Sequence, residues 1–186
     1  MNVSNEFLTV IRLKDFQFNE DILVLEPWKY DDKKFTLVIE TEQEYLVHAS
    51  TKRVVKKCCS IFGTSLEGAT RLSKEITRAN SKLPIAIGPT TKPFVLFPTL
   101  SPDRVFTRWI SFTGITWYDP GALYECEITL KNGLSYKTNI STSSLQTQIS
   151  RSLLIFRYYE TLNHQPMNKF TQKPFMRIDR DSLERP

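Results

Sequence analysis

The chain has 186 residues, 40% of them hydrophobic and 24% charged, with 25 basic against 20 acidic side chains. That length suits one ordinary domain, and that apolar content builds a real core, which excludes a disordered chain. No stretch approaches the roughly 18–20 consecutive apolar residues of a membrane span, and the opening MNVSNEFLTV lacks the pattern of a secretory leader, so a cytoplasmic protein away from the membrane is expected.

Residues 22–26, 35–40 and 45–48 are rich in β-branched and aromatic side chains and are separated by polar turns. They read as short strands, the last two as a hairpin. Helices are predicted over 51–62 and 66–79. Residues 84–102 carry Pro84, Pro89, Pro93, Pro98 and Pro102, a spacing that forbids a helix and allows short edge strands at 85–87 and 94–97. Residues 108–118 read as one longer strand. In ECEITLKNGLSYKTNI, Asn132-Gly133 is the favoured pair for a two-residue type I′ hairpin, flanked by alternating apolar positions. Ser141, Thr142, Ser143 and Ser144 then offer N-caps for a helix running to about Leu162, with Leu145, Ile149, Leu153 and Phe156 on its buried face. The polar segment from His164 on, with Pro166, Pro174 and Pro186, is predicted to be disordered. The organisation expected is an N-terminal arm (1–21), one domain (22–163) and a flexible tail (164–186). The fold class is α+β: mainly antiparallel sheets covered by two short basic helices and a longer C-terminal helix.

Little points to catalysis. Cys58, Cys59 and Cys126 are odd in number and form no Cys-x-x-Cys pair, so they read as reduced, buried thiols. The two histidines, His48 and His164, have no metal-binding spacing. Gly63 to Gly68 misses the Gly-x-Ser-x-Gly elbow, and no phosphate-binding or dinucleotide fingerprint occurs. No enzyme, metal or cofactor is expected.

Charge is more informative. Residues 1–50 hold five basic and ten acidic side chains, whereas residues 51–110 hold eleven basic and three acidic ones. On a helical wheel Lys52, Arg53, Lys56 and Lys57 cover one arc, and Val54, Val55, Cys58, Cys59 and Phe62 cover the opposite one. Arg71, Lys74 and Arg78 form a stripe on the second helix. The turn between the helices offers backbone amides, with Thr64 and Ser65, as a candidate phosphate cradle. Arg108 and Arg151 extend the basic set. A surface of this kind suits a polyanion.

The blocks CSIFGTSLEG, KLPIAIGPTTKPFVLFPTLSPDR, RWIS and LKNGLSYKTNIS, followed by a Gln- and Arg-bearing helix, resemble the ComK competence transcription factors of Gram-positive bacteria over about residues 22–160. The sequence departs from that family at Ser60 and Ala69, where members carry Arg. The resemblance implies an activator of DNA-uptake genes that binds paired AT-rich boxes of double-stranded promoter DNA through the minor groove, as a homodimer or higher assembly. It also implies that Phe175 and Met176, in KPFMRID, bind an adaptor that delivers the protein to a Clp protease. On this reading lysines and arginines neutralise phosphates while an arginine enters the narrowed groove, with Arg53, Arg71, Arg78 and Arg151 as candidates. The alternative is a protein- or lipid-interaction module with a basic surface, in which Trp28, Tyr30, Trp117 and Tyr118 meet a partner.

Overall fold

A computed structural model describes residues 8–121 and 124–164. In chain order its described residues form strands β1 (Val10–Arg12), β2 (Ile22–Tyr30), β3 (Lys33–Glu40) and β4 (Glu44–His48), then helices α1 (Thr51–Ile61) and α2 (Leu66–Thr77). Strands β5 (Ile85–Ile87), β6 (Phe94–Pro98), β7 (Trp109–Ser111), β8 (Ile115–Pro120), β9 (Cys126–Leu130) and β10 (Ser135–Thr138) follow, and helix α3 (Thr142–His164) closes the described chain. One sheet has seven strands in the order β1-β4-β3-β2-β7-β6-β5, and a second has three in the order β10-β9-β8. Every pairing is antiparallel except β1 with β4. The α+β class read from the sequence is therefore the observed one.

The long β2–β3 hairpin is the spine. Asp31 and Asp32 both adopt left-handed φ, at 47° and 56°, and join Tyr30 to its partner Lys33. That is the two-residue connection whose twist matches the strands. Pro27 sits inside β2, where it pairs with Thr36 on one side and lies beyond the reach of β7, which meets only Val24 and Leu25. Its missing N–H therefore costs no ladder bond.

The large sheet is covered on both faces. On one face Ile22, Leu25, Val38, Val47, Ile85, Ile87, Phe94 and Leu96 pack with Val54, Val55, Cys58, Cys59, Leu66 and Ala69 of the first two helices. On the other, Leu23, Val24, Leu37, Ile39, Phe97 and Ile110 meet Ile128, Leu130 and Tyr136 of the small sheet and Leu145 of α3. Residues 8–21, expected as a separate arm, are part of this body. Val10 to Arg12 pair with Leu46 to His48, and Phe16 is buried in the helix-side core.

Three local expectations are corrected. Residues 108–118 are not one strand: a 3-10 turn at Phe112–Gly114 hands the chain from the large sheet to the small one. Gly114 permits the crossing, since a Cβ there would stand 3.1 Å from Leu23 Cδ2. The Asn132-Gly133 hairpin exists, but its loop has three residues. Gly133 donates to the Leu130 carbonyl and is left-handed (φ 81°), while Asn132 is not. Asn132 instead uses its side chain, accepting from Leu134 N and donating to Glu40 O, which pins the small sheet to β3. Finally, the buried face of α3 is Leu145, Gln148, Ser152 and Ile155, while Leu153 is 47% exposed. The rotation follows from the packing: Ile155 and Tyr159 line one small cavity with Leu72, Ser73 and Ile76 of α2, and Gln148 Nε2 donates to Lys82 O. Residues 165–186, predicted as the tail, lie outside the described residues.

All three cysteines are free and buried. Burial pushes the Cys58 thiol up to about 12 and the Cys59 thiol up to about 11, and it raises Cys126 as well. The reactive thiolate is therefore scarce. The native protein at about pH 8 should resist iodoacetamide, while the denatured chain takes up one label per cysteine, as read by intact mass.

Candidate nucleic-acid interface

Helix α1 is fixed by its apolar arc. Val54, Val55, Cys58 and Cys59 are fully buried, so Arg53 and Lys56 must face outward, with Lys52 and Lys57 at the margins. Ser50 is the N-cap by backbone geometry, its carbonyl accepting from Arg53 N and Val54 N, but its side chain makes no capping bond. Thr51 is buried instead, beside the Thr36 hydroxyl, and ties the helix start to β3.

The turn to α2 is tightly determined. Gly63 N donates to Ser60 O and Thr64 N to Cys59 O, with Gly63 left-handed at φ 69°; this is the Schellman ending of a helix. Ser65 then caps α2, its Oγ accepting from Gly68 N at 2.9 Å. The amides of Gly63, Thr64 and Gly68 and the Ser65 oxygen, part of the expected phosphate cradle, are engaged within the chain. Thr64 and Ser65 are exposed.

Two acids cross this surface. Lys56 pairs with Glu67 at 2.6 Å, and Lys52 pairs with Asp103 at 2.6 Å. The hydrogen bond from Lys56 holds the Glu67 carboxyl below its ordinary range, and that from Lys52 does the same for Asp103. In return Asp103 raises Lys52. These pairs lie in solvent and add little stability, but they set the relative positions of α1, α2 and residue 103.

Beside them opens a shallow cleft of about 530 Å³, lined by Lys52, Glu67, Thr70, Arg71, Lys74, Asn80, Ser81, Lys82 and Asp103, among others. Lys52 comes from α1, Arg71 and Lys74 from α2, and Lys82 from the loop that follows. Among the described residues, Arg71, Lys74 and Lys82 have no ion-pair partner, and neither do Arg53, Lys57 and Arg78. Helix α3 supports the cleft wall: Gln148 donates to Lys82 O, and Arg151 Nη1 donates to Ser81 O at 3.0 Å. The loop is bracketed by left-handed Arg78 (φ 55°) and Lys82 (φ 50°), conformations that side-chain-bearing residues adopt only when held.

The structure thus gathers Lys52, Arg71 and Lys74 in one cleft with Lys56 and Arg151 adjoining. Arg53 and Lys57 lie further round α1, and Arg78 lies at the C-cap of α2. Arg108 is set apart. Its guanidinium meets Glu26 at 2.6 Å, donates to Lys137 O at 2.8 Å and stands 5.4 Å from the centre of the Tyr136 ring. It links the two sheets. Lys82 is the residue that sequence reasoning misses; its signal is only a further cation in the polar loop after a basic helix. Of the two family departures, Ser60 is exposed and donates to Lys57 O, whereas Ala69 is buried against the core. Phe175 and Met176 lie outside the described residues. Among those residues, no group of three or more His, Cys, Asp or Glu is placed to hold a metal, and no helix is long and apolar enough to cross a membrane.

Two helices and the loop after α2 build a basic cleft beside a mixed sheet. The family model for the ComK protein matches residues 13–162. The chain belongs to the ComK family. It is 28% identical over 153 residues to the competence transcription factor of Bacillus subtilis (strain 168), covering 82% of this chain and 79% of that protein. No solved structure matches.

The Arg108–Glu26 pair is mostly screened from solvent, with side chains 24% and 16% exposed. Arg108→Ala strands Glu26 and frees the Lys137 carbonyl. It should destabilise the protein by about 2–3 kcal/mol, somewhat under the cost of breaking a fully buried pair, as measured by urea unfolding.

Proposed function

We propose that this chain is a sequence-specific DNA-binding activator of transcription that turns on competence genes, acting in the cytoplasm. The relative's printed name is that of a competence transcription factor, and the family match spans most of the chain. The observation that carries the reading is the cleft where Lys52, Arg71, Lys74 and Lys82 converge from three segments while its two acids, Glu67 and Asp103, are already paired. Such a surface neutralises phosphates and releases counterions, which supplies sequence-independent affinity. Arg53, Lys56, Lys57, Arg78 and Arg151 extend it along the backbone of a bound duplex.

Specificity on this reading comes from groove shape. An arginine entering the narrow minor groove of an A-tract gains from its concentrated negative potential. Arg71 is the favoured one, since it is exposed, unpaired among the described residues and central to the cleft; Arg53, Arg78 and Arg151 flank it. Paired boxes call for two or more copies on one promoter. The tail residues Phe175 and Met176 are proposed to engage a Clp-protease adaptor.

At fixed moderate salt the protein should retain an AT-rich duplex well above a mixed-sequence duplex and above anionic vesicles. Replacing both Lys74 and Lys82 by Gln should flatten the slope of log K against log salt by about 1.8, or about 0.9 for each phosphate no longer neutralised. Equal retention of the two duplexes in a gel-shift titration, or an unchanged slope in the double variant, would refute the assignment.

A further inference from the structure

The segment that ends β6 and leads to β7 includes FPTLSPDRVF, and its tip does something a soluble surface ordinarily avoids. Val105 is 64% exposed and Phe106 is 74% exposed, side by side. Scattered surface apolars are common, but these two stand on a tip that is held rigidly. Arg104 N donates to Ser101 O, Thr107 N to Arg104 O, and the Thr107 hydroxyl to Ser101 O at 2.5 Å. Asn139, just after β10, donates its Nδ2 to the Phe106 carbonyl at 3.1 Å, and Asp103 is tied to Lys52. The side chains are therefore presented by a preformed loop, not by a frayed one.

Their surroundings select the partner. Across a cleft of about 320 Å³ the tip faces Trp28, Lys34 and two lysines already paired with acids, Lys29 with Asp32 and Lys52 with Asp103; Arg104 is beside it, and Asp103 is the one acid among the described residues of the lining. The partner must combine negative charge with flat apolar surface. Position adds a second argument. Lys52, Pro102 and Asp103 line both this cleft and the basic cleft of α2, so the loop is the ridge between the two. An anionic polymer seated on Arg71, Lys74 and Lys82 runs onto that ridge. In duplex DNA the apolar surface is the stacked face of the base pairs, reached from a groove walled by phosphates.

We propose that Phe106, backed by Val105, is a wedge that enters the minor groove, partly separates one base step and bends the duplex over the ridge, with Arg104 and Lys52 on the flanking phosphates. Apolar side chains used in this way unstack a step in exchange for more wrapped surface. The most easily opened steps include TA, which AT-rich sequence supplies. This inference rests on the DNA reading above and deepens it by adding a bend and the residue that makes it.

The test uses the full chain and an AT-rich duplex with donor and acceptor dyes at its ends and 2-aminopurine at its TA steps. Wild type should bend the duplex and brighten the probe at one step. Phe106→Ala should lose most of both signals and bind the AT-rich duplex about tenfold or more weakly, while keeping the wild-type salt slope and unfolding midpoint. Phe106→Leu should retain most of the bend, because aliphatic wedges also insert. If wild type shows no preference for the AT-rich duplex, the DNA reading and the wedge fall together. If wild type binds and bends it but Phe106→Ala does the same, the wedge alone is overturned. Should Phe106→Ala in that case also weaken self-association, the tip is a protein interface.

Discussion

The burial of one side of α1 governs the rest of the surface. With Val54, Val55, Cys58 and Cys59 sealed against the sheet, the helix has no freedom to roll, and each of its cations has a fixed bearing. The Schellman ending at Gly63 and the Ser65 cap then set where α2 starts, and α3 holds the loop beyond α2 from behind. The positive side chains owe their convergence to apolar packing beneath them. Mutual repulsion among them is a modest cost set against a core that buries several large aliphatic side chains.

The net charge is +5, and four acids of residues 1–50 are engaged away from this face. Glu20 pairs with Lys92, Glu26 with Arg108 and Asp32 with Lys29. Glu40 is buried and accepts from three neutral donors, Asn19, Gln43 and Tyr45. A buried carboxylate satisfied in this way is held by hydrogen bonds rather than by a counter-charge. The same contacts, with burial foremost, raise the Tyr45 phenol.

Much of this is legible in the sequence where one local pattern decides the outcome. The β-branched runs mark β2 to β4, and the clean split of α1 into a basic and an apolar arc sets its orientation. Legibility fails where a distant partner decides. Arg108 looks like any other cation until the fold brings Glu26 to it. Asn132-Gly133 looks like a two-residue turn until the Asn132 side chain finds the Glu40 carbonyl. Leu153 looks buried by spacing, but the contact with α2 turns the helix so that Gln148 and Ser152 face inward instead. Residues 108–118 read as one continuous strand because their propensities are continuous; the break comes from two sheets competing for the two halves. Lys82 escapes notice because a loop cation has no periodicity to mark it.

The pairs Lys52–Asp103 and Lys56–Glu67 have one more consequence. Each lysine is already serving an internal carboxylate, so on the proposed DNA reading an arriving phosphate would displace that carboxylate rather than a solvent anion. Binding at those two positions is an exchange of anions. It sheds fewer ions into solution than the number of lysines suggests, and the same electrolyte weakens the resident and the incoming contact alike. On the proposed reading the evicted carboxylates would act as a mild threshold: a stray polyanion offering one phosphate would gain little, whereas a partner that engages Arg71, Lys74 and Lys82 at the same time would gain enough to turn both acids out.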